Sequence, residues 1–371
     1  MATPITGAIS MSDVRTTLGS SGAISFNDTL VRQLLNNITG SVDLNAGHAC
    51  SYINTTVTNQ NIFTQAFGSP SAVASYKVLI GSSGIVNATA GNTSITIGQF
   101  PTGSTITINN FGQINGYGGA GGSAGVGSSG GDAIYASYAN QTVVINNQTG
   151  AFIRAGGGGG GRGGTGGTGG TGGQGYYAAY NYRYDGSNNW VYNGSYTRAI
   201  WNGAEVVRRG DGAPGPFNGY IRGSAVSYNP KDYTTSCYIG QAYNVYTSGG
   251  SGGGGGAGGA GGRGYGADGA NASGSAGSTG SGGSAGGTNA GTGGSGGTGG
   301  TGGTGGVYGT AGSTGNTGAT GNAGASGNYT GGAAGAGGAT GSGGGAAGRY
   351  LVKGANSVTI NNSGTVAGGL A

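Results

Sequence analysis

Residues 176–248 concentrate the side chains best suited to hold a ligand, with 13 of the chain's 22 Tyr and both Trp. Tyr176, Tyr177, Tyr180, Tyr182, Tyr184, Trp190, Tyr192, Tyr196 and Trp201 are interleaved with Asn, Asp and Arg, and Arg208, Arg209, Phe217, Tyr220 and Tyr243 continue the series. Tyr and Trp give large contact area at small entropic cost and keep a polar handle, while Asn, Ser and Gly adapt their hydrogen bonds. The mixture resembles a binding surface, and flat rings also suit sugars. The alternative use of the same rings is as the segment's own small core, because Leu, Ile and Val are scarce there. Tyr228 and Tyr233 are candidates for that role. Arg208, Arg209 and Asp211 lie in RRGDGAPGPFNG, where Pro214, Pro216 and several glycines predict an exposed loop.

Catalytic chemistry has little to build on. The chain has one His, His48, and one Glu, Glu205. A Ser/His/Asp arrangement would have to recruit His48 from far upstream, and no GxSxG supports it. Glycoside hydrolysis needs two facing carboxylates, and nothing in the spacing of Asp185, Glu205, Asp211 and Asp232 sets two across a cleft. None of Lys77, Lys231 and Lys353 follows a glycine or precedes Ser or Thr, so the glycines form no phosphate loop. Cys50 and Cys237 stand alone, without the spacing of a zinc site or a disulfide framework, and read as free thiols. The expectation is a protein that is not an enzyme and needs no cofactor. Its formal charge of +5 is spread over 14 basic and 9 acidic residues with no basic run beyond Arg208 and Arg209, which excludes nucleic acid as a partner. The N-terminus lacks a signal-peptide pattern, and no run of 18 apolar residues offers membrane insertion.

The elements that must position the aromatic segment are made of glycine, 99 residues of 371. Residues 163–175 read GGTGGTGGTGGQG and residues 292–306 read TGGSGGTGGTGGTGG. A left-handed helix with three residues per turn stacks the glycines of Gly-Gly-X on two faces and every X on the third. Bare backbone on two faces lets such helices approach closely and pair N–H and C=O groups between runs. A flexible linker has no reason to keep X in register over consecutive triplets. Glycine-rich runs at 116–131, 155–175, 249–266, 274–287, 291–306, 309–327 and 331–348 therefore read as members of one bundle. With only 6 Pro and a broken Gly-X-Y pattern, collagen is not indicated.

Two internal repeats complete the organisation. TITINNFGQINGYGG from Thr105, TVVINNQTGAFIRAGG from Thr142 and SVTINNSGTVAGG from Ser357 are each a β-branched strand, an Asn pair, a turn and glycine. These strands are expected to sit together and cap one end of the bundle, with the aromatic segment at the other end. Upstream, AISMSDVRTTLG (residues 8–19) and AISFNDTLVRQLL (residues 23–35) predict two helices, capped from among Ser10, Ser12 and Asn27. Strands are predicted within residues 74–81 and 93–98. The fold class expected is mostly irregular and β. It is a bundle of polyglycine-II helices capped by short strands, with a small α+β or β module at residues 1–104 and a Tyr-rich insertion. The divisions are 1–104, 105–175 with strand caps and first glycine helices, the insertion 176–248, and 249–371 with the remaining helices and the C-terminal strand.

Taken together, the glycine runs, the aromatic insert and the closing SVTINNSGTVAGG resemble the distal tail-fibre adhesins of T-even-like bacteriophages. ISMSDVRTTLG and ISFNDTLVRQL are similar to short repeats of tailed-phage structural proteins. The resemblance covers residues 105–371 and implies a polyglycine-II sandwich whose far loops recognise a receptor on the bacterial surface, an outer-membrane protein or a polysaccharide. It also implies residence at the distal end of the virion tail and docking to other tail proteins through residues 1–104. The single 73-residue insertion in place of several short loops, and the different first hundred residues, depart from that pattern. Rival readings are an ice-binding protein with Thr165, Thr168 and Thr171 in a row, and a structural spike without a ligand.

Overall fold

The computed structural model describes residues 2–4, 6–35, 47–136, 138, 140–185, 190–193, 196–201, 204–209, 220–222, 237–268 and 271–371, with residues 178–244 given as strand paths. It consists mostly of strands and irregular runs with few helices. The strands wind in five coils. The first coil carries β1 (Cys50–Ile53), β2 (Thr56–Thr58) and β3 (Gln60–Asn61), and the second β4 (Ser75–Ile80), β5 (Ile85–Asn87) and β6 (Ile95–Thr96). The third has β7 (Thr105–Asn110), β8 (Gln113–Asn115) and β9 (Ile134–Tyr135). The fourth starts with β10 (Thr142–Asn147) and β11 (Phe152–Arg154). The chain then makes a long excursion with its own strands β12 (Gly175–Asp185), β13 (Trp190–Asn193), β14 (Tyr196–Trp201), β15 (Ala204–Arg209), β16 (Tyr220–Arg222) and β17 (Cys237–Thr247). It returns at β18 (Arg349–Val352) to finish the fourth coil, and β19 (Ser357–Asn362), β20 (Thr365–Ala367) and β21 (Gly369–Leu370) form the fifth.

Equivalent strands of successive coils stack in parallel into three five-stranded sheets, β1-β4-β7-β10-β19, β2-β5-β8-β11-β20 and β3-β6-β9-β18-β21. Parallel neighbours need a crossover, and here the other two faces of each coil supply it, which makes a three-sided β-solenoid. Period-two alternation drives it. Tyr76, Val78 and Ile80, then Ile106 and Ile108, then Val143 and Ile145 point inward and are fully buried in one stack with Ile114 and Ile153. The three INN segments lie side by side in one register, Asn110 opposite Asn147 and Asn147 opposite Asn362.

Their Asn pairs form two ladders. On the inner side Asn110 Nδ2 donates to Asn147 Oδ1 at 2.8 Å, and Asn147 Nδ2 donates to Asn362 Oδ1 at 2.8 Å. Asn110 Nδ2 also reaches the Phe152 carbonyl and Asn147 Nδ2 the Thr365 carbonyl, which satisfies the corner where the chain turns into the second sheet. On the outer side Asn361 donates to Asn146 and Asn146 to Asn109, both at 2.7 Å.

The upstream repeats form α1 (Met11–Leu18) and α2 (Thr29–Leu34). Ser10 caps α1 in a reciprocal pair with Asp13, rather than Ser12. In α2 the cap position is Asp28, and Asn27 is not used as the cap. The helix is shorter than the 23–35 pattern because Ser25 N–H turns to Asp28 Oδ2 first. Ile9, Val14, Val31, Leu34 and Leu35 pack on Cys50 and Leu79 outside the first sheet, and residues 2–4 pair along β1. The sheets run unbroken across residue 104, since β4 pairs with β7 over its whole length. Stacking demands that continuity, because the buried faces of residues 76–80 and 105–110 cover each other.

Both glycine excursions leave the solenoid at one corner, between its second and third sheets: residues 116–131 join β8 to β9, and residues 155–348 join β11 to β18. The first run folds back on itself, with Ser128 N–H on Ala120 O and Gly131 N–H on Tyr117 O, so it supplies two short members. Residues 155–174 are the spine. In each triplet one N–H donates to the run 250–265 and the next to 310–325, as Gly163 does to Gly259 and Gly164 to Asn316, both at 2.8 Å. Its carbonyls accept from 291–306 and from 333–348, as Gly164 O does from Gly300 and Thr165 O from Ala339. A Cβ at Gly166 would overlap the carbonyl of Gly297, so the close approach itself demands glycine. Thr165, Thr168 and Thr171 form the exposed third row. Along one flank Ser275, Ser278, Ser281 and Ser284 turn their hydroxyls onto the N–H groups of Ala260, Ala257, Gly254 and Ser251 at 2.7–2.8 Å, satisfying donors that no further run covers.

Candidate functional site

The spine emerges from the solenoid at Ala155 and delivers the chain to β12 at Gly175. At that far end two short turns, residues 287–290 and 327–330, are knitted to the base of the β12/β17 ribbon. Asn328 Oδ1 accepts Tyr176 N–H at 2.8 Å, while Asn328 Nδ2 and Asn289 Nδ2 both donate to Tyr176 O at 3.0 Å. Asn289 takes the left-handed conformation that lets its turn close (φ 60°). Thr330 Oγ1 accepts Gln174 N–H at 2.7 Å, and Thr247 Oγ1 donates to the Thr288 carbonyl at 2.7 Å. Both strands of the ribbon are thereby gripped where they leave the bundle.

Three tyrosines stand on this collar. Tyr176 and Tyr246 are cross-strand partners with ring centroids 6.3 Å apart, and Tyr329 meets Tyr176 edge to face at 6.1 Å and Tyr246 at 4.8 Å. Exposure is 36% for Tyr176, 55% for Tyr246 and 53% for Tyr329. Tyr177, 38% exposed, is on the alternate position of β12. The candidate binding residues read from the sequence include Tyr176 and Tyr177 of this group, but neither Tyr246 nor Tyr329. Both are Tyr beside glycine-rich runs, and their partnership depends on a fold that joins residues 176, 246 and 329.

The remaining predicted residues divide between two sheets. Tyr180, Tyr182 and Tyr184 lie on β12, Tyr220 on β16 and Tyr243 on β17, in the antiparallel sheet β12-β17-β16. Trp190 and Tyr192 on β13, Tyr196 and Trp201 on β14, and Arg208 and Arg209 on β15 belong to the sheet β13-β14-β15. Tyr228, Tyr233 and residues 210–219, Asp211 and Phe217 among them, lie outside the described residues. The register sets position 176 opposite 246, 177 opposite 245 and 179 opposite 243.

Charge is distributed unevenly along the bundle. Residues 163–182 and 271–348 contain no Lys, Arg, Asp, Glu or His, so the collar is electrically neutral. Ionised groups gather at the solenoid corner instead. Arg154 donates to Asn115 Oδ1 (2.9 Å) and Gln113 Oε1 (2.6 Å) and is stacked over the rings of Phe152 (4.5 Å) and Tyr308 (4.4 Å). Burial raises the Tyr308 phenol pKa, opposed by the neighbouring Arg154 charge. Arg349 forms a two-pronged pair with Asp132 (2.9 and 3.2 Å), which raises its pKa, and Arg263 pairs with Asp268. These contacts rivet the glycine turns to the solenoid.

His48 lies 3.3 Å from the Pro4 carbonyl and meets no carboxylate partner among the described residues. Cys50 is a buried thiol whose pKa burial pushes up to about 11. Among the described residues no cluster of His, Cys, Asp and Glu is able to hold a metal ion, and no helix is long and apolar enough to cross a membrane. What the collar offers is therefore an uncharged, aromatic surface. Against known proteins, the family model described as phage tail fibre adhesin Gp38 matches residues 41–279, well over half of the chain. No curated protein and no solved structure matches it.

Proposed function

The chain belongs to the phage tail fibre adhesin Gp38 family, a component of the virion tail, and from that membership we propose that it binds a receptor on the bacterial host through its far, aromatic end. The observation that carries this reading is the collar: the glycine runs hold an aromatic ribbon by both strands at the end away from the solenoid. In this reading the runs are a T-even-like polyglycine-II sandwich, the interleaved backbone hydrogen bonds supporting that assignment. The insertion 176–248 is the recognition element, with Tyr176, Tyr180, Tyr182, Tyr184, Trp190 and Trp201 among its contact residues. The protein acts by binding and is not an enzyme. Its N-terminal region, residues 1–104, docks it to other tail proteins, with the surface of α1 and α2 available for that contact.

Stiffness serves such a function directly. A ligand-binding surface held in its bound geometry loses less conformational entropy on association, and several copies on one virion add avidity. The test is adsorption of the purified chain to a panel of bacterial strains, with residues 176–248 intact or replaced by a short Gly-Ser loop. Strain-selective binding that disappears with the insertion is expected; equal binding by both proteins, or none by either, overturns the proposal.

A further inference from the structure

We propose that Tyr176, Tyr246 and Tyr329 form a subsite for an uncharged sugar ring of a host surface polysaccharide, an inference that rests on the far end being the receptor-binding end. The three rings come from segments far apart in sequence, and they meet tilted or edge to face, with interplanar angles of 54°, 89° and 58°. Such packing keeps the rings in fixed relative positions and leaves half of Tyr246 and Tyr329 in water. Their hydroxyls make no hydrogen bond with any described residue. A monomeric surface rarely gathers exposed rings without a partner to cover them.

The surroundings select the chemistry of that partner. Among the described collar side chains an anionic sugar, a phosphate or a charged protein loop meets no counter-charge, because Gln174, Asn289, Asn328 and Thr330 are all neutral. A neutral pyranose has the complementary character: one side of C–H groups that meets the electron-rich face of a phenol ring, and a rim of hydroxyls that exchanges hydrogen bonds with amides and phenols. The site is also preorganised. Asn328 grips both N–H and C=O of Tyr176, so the ring that starts the cluster is fixed before any ligand arrives.

The test uses the full chain with two kinds of probe. Methyl glucoside, galactoside, mannoside and N-acetylglucosamine are screened by saturation-transfer NMR, and deproteinised polysaccharide from adsorbing strains is measured by surface binding at 50 and 500 mM NaCl. We expect at least one neutral sugar to receive saturation from tyrosyl protons, polysaccharide affinity to change less than about threefold with salt, and Tyr329→Ala and Tyr246→Ala each to weaken it about tenfold or more. Tyr329→Phe keeps the ring and should stay within about threefold; unchanged melting of all variants shows that the collar is folded. Absence of saccharide binding, wild-type binding by Tyr329→Ala, or a steep salt dependence overturns the inference. Should whole-cell adsorption still vanish with residues 176–248 in that case, the sugar subsite fails while host binding stands. Adsorption indifferent to that deletion fails the broader reading itself.

Discussion

Adding one methyl group to the spine separates two kinds of glycine in this bundle. In Gly166→Ala the new Cβ overlaps the Gly297 carbonyl, and the obstacle is backbone with no rotamer to change. Relief requires the spine and the run 291–306 to part by more than an ångström locally. That sacrifices the two nearest bonds between them, Gly297 N–H to Gly167 O and Gly300 N–H to Gly164 O, both 2.8 Å. At about 1 kcal/mol net for each bond, plus about 1–3 kcal/mol for overpacking, the expected cost is about 3–5 kcal/mol. Gly337→Ala is the control: nothing lies within 4 Å of its Cβ position and its φ is not left-handed. There the shorter menu of unfolded conformations should stabilise by about 0.4–1 kcal/mol. Calorimetric melting of the two variants reads both effects, and hydrogen exchange by mass spectrometry locates them. Near-native stability for Gly166→Ala, or equal destabilisation by both, would refute close backbone contact as the reason for glycine.

Two further predictions address the solenoid. Asn147→Ala removes a buried residue bonded to Asn110, Asn362 and the Thr365 carbonyl, and should cost about 2–4 kcal/mol with faster exchange over residues 349–371, whereas Asn146→Ala on the outer ladder should cost under about 1 kcal/mol; equal losses in denaturant melts would contradict the ladder assignment. For Cys50 the folded pKa of about 11 exceeds the ordinary 9.0, so its contribution to stability is complete below about pH 9 and is lost as pH rises through about 11. Stability curves of wild type and Cys50→Ala should accordingly converge over that window, and Cys50 should resist alkylation at pH 8 in the native protein.

Much of this architecture is legible in the sequence, for identifiable reasons. The glycine period is regular enough to announce interlocking runs, and the INN repeats announce strands that stack, because the same residues recur in the same register. The solenoid as a whole is harder to read. Strands such as β3, β6 and β21 are two residues long, too short to show alternation, and the fourth coil is split by the excursion at 155–348. The fold-back of residues 116–131 is hidden because a glycine run signals close approach without saying to which neighbour. At the far end, composition points to the insertion but not to Tyr329 or to the grip of Asn289 and Asn328. Those depend on turns meeting over more than 100 residues of sequence.

Repetition inside the bundle leaves its backbone alignment undecided from within. Sliding one run past another by a whole triplet restores the same Gly-against-carbonyl contacts and the same backbone bonds, so within the bundle only side-chain pairs such as Asn316 with Thr301 and Asn322 with Ser295 oppose such a slip. Further stops stand at the ends, where Arg154 is stacked over Tyr308 and where Asn328 holds Tyr176. It follows that the length of this scaffold is free to change only in whole triplets, each adding or removing ~9 Å of reach, with all runs altered together and both end assemblies left as they are.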